Sequence, residues 1–105
     1  MIVEYVRYEL PLELRQSFES CYAEVGPLLG KSPHCQRWEL SRSVEEPASY
    51  VVRIEWDSQA GHEAGFRKSA DFAAFFGRLS RFSEYRVQMA HFEAVCGSIP
   101  GGCVG

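Results

Sequence analysis

No stretch of this sequence approaches the roughly 20 consecutive apolar residues needed to cross a bilayer. Met1 to Leu10 also lacks a basic start followed by an apolar run, so neither a membrane anchor nor a signal peptide is expected. A basic excess is missing as well. Eleven Lys and Arg stand against 14 Asp and Glu, giving a formal net charge of −3 and a pI near 5.6. That balance excludes a general binder of nucleic acid or anionic lipid, because neutralising phosphates takes an excess of cations. Of the cysteines Cys21, Cys35, Cys96 and Cys103, no pair has the two-residue separation of a zinc knuckle or a thioredoxin-type motif. Cys103 is one residue short of a prenylation position. A cytoplasmic protein with free thiols is the expectation, with Cys21 packed as a small hydrophobe and Cys103 an exposed tail thiol. There is no dinucleotide-binding glycine motif, phosphate loop, Gly-x-Ser-x-Gly elbow or His-Glu-x-x-His site. Hydride transfer, phosphoryl transfer and zinc proteolysis therefore lack their parts.

Aromatic residues, by contrast, are plentiful. Seven Phe, five Tyr and two Trp make up 13% of 105 residues, within a hydrophobic fraction of 46%. One domain of this length buries roughly two-thirds of its unfolded surface and needs no staples. Residues 1–96 are expected to form that domain. The glycine-rich stretch 97–105 is expected to be a flexible tail.

The periodicities alternate between two and 3.6. From Ile2 to Leu10, Ile2, Val6, Tyr8 and Leu10 face one way and Tyr5, Arg7 and Glu9 the other, with Val3 and Glu4 blurring the pattern. Pro11 suits a helix start, and Leu14, Phe18, Cys21, Tyr22, Val25, Leu28 and Leu29 recur at helical spacing before Gly30. Two strands follow, His34 to Val44 and Tyr50 to Trp56, joined by a turn around Pro47. Helical stretches are expected from about Asp57 to Lys68 and again from Asp71, the latter carrying Phe72, Phe75, Phe76, Leu79 and Phe82. A last strand from Glu84 to Val95 places Tyr85, Val87, Met89, His91 and Glu93 opposite Arg86, Gln88, Ala90 and Phe92.

This order, β-α-β-β-α(α)-β, predicts a ferredoxin-like α+β fold. Its four-stranded antiparallel sheet is covered by helices on one face. Tyr8, Trp38, Ile54 and Met89 belong to the covered face. The other face carries Arg7, Arg37, Glu39, Arg53, Glu55, Arg86 and Gln88 among Val3, Tyr5, Val51 and Phe92. Two readings of it stand: a solvated surface, or a sheet-to-sheet homodimer whose mixed charges pair across a two-fold axis.

The segment YVVRIEWDSQAGHEAGFRKSADF, Tyr50 to Phe72, resembles the antibiotic biosynthesis monooxygenase family. Its strand ends in Glu55-Trp56, Asp57 and Ser58 follow, and a helix carries the Ser-x-x-Phe element at Ser69 to Phe72. The closing strand VQMAHFEAV, Val87 to Val95, matches the family's aromatic and Glu after a His. The resemblance covers residues 2 to 95. It implies a dimeric α+β barrel with a pocket between sheet and helices in each subunit. Some relatives oxygenate anthrones or quinols with neither metal nor flavin; others bind and degrade heme. The heme group's Asn, Trp and ligating His correspond here to Val6, Phe66 and Phe76, so that chemistry lacks its residues, and many quinol-type relatives place a His where Phe66 stands.

The expected activity is accordingly a cofactor-independent oxygenation of a small electron-rich aromatic. His62, one helical turn before Phe66, is the first candidate base, since a neutral imidazole suits proton removal near neutral pH. His91 is the second, on one strand face with Glu93, which offers a carboxylate partner. Tyr8, Trp38, Phe66, Phe76 and Met89 are the expected substrate-binding residues. No cofactor is expected. Zinc or iron is not expected either, for want of a third ligand beside the two histidines. The expected partners are a small aromatic molecule and a second copy of the chain, with no nucleic acid or membrane. A non-catalytic binding or regulatory module on the same scaffold is the alternative, and heme held by His62 or His91 is a third.

Overall fold

The computed structural model describes residues 1–98. The chain runs through β1 (Ile2–Glu9), α1 (Leu12–Gly30), β2 (Cys35–Arg42) and β3 (Ser49–Trp56). A π-helical turn (Gly61–Gly65) and a 3-10 turn (Phe66–Lys68) come next. Then come α2 (Ala70–Leu79), a second 3-10 segment (Ser80–Tyr85) and β4 (Arg86–Glu93). The strands form one sheet in the order β2-β3-β1-β4 with every neighbouring pair antiparallel, which is the ferredoxin-like plan. From residue 99 onward the tail expected over 97–105, with Cys103, lies outside the described residues.

The core forms where two patterned surfaces meet. Along β3 the burial alternates as its sequence does, with Tyr50, Val52, Ile54 and Trp56 at 4% exposure or less. Against them α1 lays Phe18, Cys21, Tyr22, Val25 and Leu29. Phe18 is the hub: its ring meets Tyr8, Tyr22, Tyr50 and Phe82 at centroid separations of 4.8, 5.4, 5.4 and 5.1 Å. Such tilted and edge-on pairs add to the area they bury and fix ring orientation.

Gly26 sits inside α1 (Leu12–Gly30) for a packing reason. A Cβ placed there would overlap the Trp38 indole, which lies directly on the helix backbone. Gly26→Ala gains helix propensity of about 1 kcal/mol but forces the indole out of contact, and the overlap prevails. A net loss of about 1–3 kcal/mol is expected in urea unfolding. Gly26→Ala combined with Trp38→Leu should recover most of it; an unchanged midpoint for Gly26→Ala alone would show that the indole has room to shift.

The stretch after Asp57 is helical as expected, but between Gly61 and Gly65 the backbone widens into a π turn, and the His34 ring packs against both glycines where a Cβ would collide. Three local expectations are corrected. β4 starts at Arg86, not Glu84, because Ser80–Tyr85 continues in 3-10 form and buries Phe82 beneath the sheet. A register shift between Arg7 and Tyr8 then sets Arg86 opposite Tyr8, on the helix-facing side rather than the open one. Finally, Cys96 is disulfide-bonded, whereas Cys21 and Cys35 are free. Cysteine spacing carries no information about pairing, which depends on separations that only the fold sets.

Candidate functional site

The helical layer covers β3 and β1 closely but stops short of the edge strand β4, where Val87 and Met89 stay about half exposed. Between α2 and the β1–β4 half of the sheet a cavity of about 300 Å³ remains. Tyr8, Phe66, Phe76, Met89 and His62 all line it. Phe66 is buried and meets Phe72 and Phe75 edge-on at 5.6 and 5.8 Å. Phe76 is 47% exposed and stacks on Phe72 at the lip. Trp38 is set apart. It lies on β2, at the far edge of the sheet, packing on Gly26 and Tyr22 and lining a separate groove with Leu40 and Tyr50.

The polar end of the cavity is built around a residue the sequence reading passed over. Glu4 is 4% exposed, turned inward by the same alternation that turns Val6 and Tyr8 inward. One carboxylate oxygen, Oε1, accepts the indole N–H of the fully buried Trp56 at 3.1 Å and lies 3.7 Å from His62 Nε2. The other, Oε2, lies 3.4 Å from Nε2 of His91, which is paired across the β1–β4 ladder with Glu4 itself. The carboxylate beside His91 is therefore Glu4, not Glu93, which pairs with Ile2 two residues along the ladder. The imidazoles of His62 and His91 tilt toward each other with centroids 5.0 Å apart, and His62 lies over Trp56 at 4.6 Å. His62, Glu4 and His91 thus form a chain from the buried cavity wall to a side chain 35% exposed.

Burial lowers the pKa of His62 from its ordinary 6.5. The Glu4 carboxylate opposes that shift, and His91 and Arg67 add to it. His62 is thereby held neutral at neutral pH. Its Nδ1 is fully buried with no hydrogen-bond partner among the described residues, which leaves Nε2 as the nitrogen available to a ligand. Burial likewise raises the pKa of Tyr8, against the pull of Arg86, and that of Tyr22 strongly, so both stay protonated phenols.

Glu4, His62 and His91 also bring three ligand-type atoms within 4.8 Å of one another, supplying the third donor whose absence had argued against a metal. Metal-ligating histidines ordinarily donate their second N–H to a fixed acceptor. Among the described residues His62 has none behind Nδ1, and one Glu4 oxygen already holds the Trp56 N–H. The trio fits proton transfer better than a metal shell.

The sequence profile of the antibiotic biosynthesis monooxygenase family matches residues 1–78. The uncharacterised protein YczJ of Bacillus subtilis (strain 168) is 26% identical over 95 residues, spanning 90% of this chain and 100% of YczJ. A candidate antibiotic biosynthesis monooxygenase of Bordetella bronchiseptica superposes with a TM-score of 0.74 at 27% identity, over 90% of this chain and 96% of that one. SnoaB of Streptomyces nogalater, a cofactor-independent oxygenase, superposes with a TM-score of 0.76 at 16% identity, over 92% of this chain and 95% of SnoaB, a likeness of fold.

Proposed function

The chain belongs to the antibiotic biosynthesis monooxygenase family, and from that premise we propose that it oxygenates a small electron-rich aromatic, of quinol or anthrone type, without metal or flavin. The observation that carries this reading is the His62–Glu4–His91 chain at the end of an aromatic-lined cavity. Neutral His62 takes a proton from the substrate at Nε2. The imidazolium so formed lies 3.7 Å from Glu4 Oε1, whose charge stabilises it. His91, touching the other carboxylate oxygen and partly open to water, returns the proton to solvent. Loss of the proton raises the electron density of the ring until it can reduce dioxygen directly. For an anthrone the balance is simple: the ring CH₂ becomes C=O, the O–O bond breaks, and the second oxygen leaves as water with both hydrogens. Phe66, Phe72 and Phe76 hold the ring plane and exclude bulk water.

Oxygen uptake with anthrone, in the presence of EDTA, tests this reading. Consumption above the rate of uncatalysed autoxidation is expected, undiminished by the chelator. A rate no faster than autoxidation would leave the non-catalytic binding module in possession, and a rate abolished by EDTA would make the trio a metal site.

The open face of the sheet supports a homodimer. Val3 is buried there, and Tyr5 meets Phe92 edge-on at 5.6 Å while Phe92 stays 57% exposed. The charges around them pair along their own strands, Arg7 with Glu9, Arg37 with Glu39 and Arg53 with Glu55, which lowers the cost of covering them. Sedimentation equilibrium should give a mass near twice 11.9 kDa; a monomer at all concentrations would make this face a solvated surface.

A further inference from the structure

The cavity has two unlike ends. Glu4 and His62 occupy one, with His91 behind Glu4. Four residues further along β1 (Ile2–Glu9), about 13 Å at the rise of a strand, Tyr8 and its ladder partner Arg86 occupy the other, joined by Tyr22 from α1 (Leu12–Gly30) and by Ser83.

Tyr8 and Tyr22 are 5% and 3% exposed, yet neither hydroxyl has a hydrogen-bond partner among the described residues. This is unusual within the same protein: the Tyr50 hydroxyl donates to Glu19 at 2.5 Å, and the Tyr5 hydroxyl accepts from Arg53 at 3.3 Å. Neither hydroxyl is sealed off, since the one fully buried side-chain polar atom without a partner among the described residues is His62 Nδ1; both open onto the cavity, and what fills that space supplies their partner. Neither hydroxyl can turn away, since both rings are held against Phe18, and Tyr22 also against Phe75. Arg86 likewise forms no salt bridge among the described residues. This end of the cavity therefore offers donors and a cation but no carboxylate, whereas the other offers the Glu4 carboxylate and the His62 imidazole, with Arg67 close enough to act on that ring.

We propose that Tyr8, Tyr22 and Arg86 form a carboxylate-binding subsite, so that the substrate is an aromatic acid whose ionised carboxylate docks there and whose oxidisable hydroxyl or methylene reaches His62. Two phenolic O–H groups and a guanidinium match the lone pairs of one carboxylate. Anchoring the acid at this end fixes which end of the ring meets the base. The inference rests on the cavity being the substrate site proposed above.

Binding of two probes, followed by isothermal titration at neutral pH, tests it without turnover. The probe 6-hydroxy-2-naphthoate carries a hydroxyl and a carboxylate at opposite ends; 2-naphthol lacks the carboxylate. The protein should bind the naphthoate about tenfold or more tightly than the naphthol. Tyr8→Phe with Tyr22→Phe, which keeps both rings in place, should bring the ratio toward one by weakening only the naphthoate. Arg86→Gln, on an exposed strand position, provides an independent variant and should lower the ratio part of the way. A ratio near one in the unmodified protein, or a ratio untouched by these substitutions, would overturn the subsite. Discrimination between the probes together with no oxygen uptake above autoxidation would instead keep the subsite and sink the oxygenase reading.

Discussion

Glu4→Gln and Glu4→Ala should separate the two tasks of one buried side chain. Both variants are expected to lower anthrone turnover about a hundredfold, the scale of losing assistance to a proton transfer. Only Glu4→Ala should also lose stability. Trp56 is fully buried and its indole N–H has Glu4 Oε1 as its acceptor, at 3.1 Å. Truncation leaves that N–H unpaired, at a cost of about 1–3 kcal/mol. A glutamine keeps a carbonyl oxygen for the indole but presents no charge to the imidazolium at His62 and no second acceptor for His91. Steady-state oxygen uptake and urea unfolding, run side by side, read the two effects. Full turnover in Glu4→Gln would show that the carboxylate charge plays no part in the chemistry, leaving Glu4 only its structural bond to Trp56.

Glu4 also shows how much of the site could be read from sequence. Strand parity assigns it to the face of Val6 and Tyr8, so its inward position was legible. A charged residue between Val3 and Tyr5, however, reads as an interruption of the pattern. Its partners were not legible at all: the pairing of Glu4 with His91 joins strands at opposite ends of the chain, and no local pattern encodes that register. Period-two reasoning did place Tyr8, Met89 and His91 on the covered face, and helical spacing put His62 and Phe66 on one side of their segment. It misplaced Arg86, because one irregularity between Arg7 and Tyr8 reverses parity at the start of β4 (Arg86–Glu93). For Trp38 the face was right and the neighbourhood wrong. Parity gives the side of a sheet, but position within it comes from the strand order, and β2 lies two strands from β1 and three from β4.

The π turn (Gly61–Gly65) belongs to the same class of feature. Two glycines stand four residues apart on a helix-forming stretch, and nothing in that spacing distinguishes an α turn from a wider one. The tertiary reason is His34, whose ring lies against both glycines while its Nδ1 meets Asp57 Oδ2 at 3.0 Å. The Asp57 backbone N–H donates in turn to the His34 carbonyl at 2.9 Å. This two-way tie seats the turn that carries His62, so that side chain is positioned by the end of β3 (Ser49–Trp56) rather than by its own helix. Widened turns of this kind recur at functional sites because they redirect a side chain without breaking the element.

His62→Gln should have the largest effect on turnover, a loss of about 10²–10⁴-fold, since it removes the cavity-lining imidazole placed to take the first proton. The pH profile of the unmodified protein gives a second, independent reading. Burial lowers the pKa of His62 below 6.5, so the acid limb of kcat/KM should reach half-height below pH 6.5 and stay flat through neutrality. The same shift fixes a stability trend. Between the folded pKa and 6.5 the unfolded chain binds more protons than the folded one, so stability is full above pH 6.5 and falls as pH drops through this window. His62→Gln should flatten that part of the stability profile along with abolishing the kinetic limb. An acid limb that survives the substitution unchanged would move the proton-accepting role to Glu4 or His91. Those two groups are the next along the same chain, and His91→Gln would then decide between them: loss of the limb would place the role on His91, and its persistence on the carboxylate.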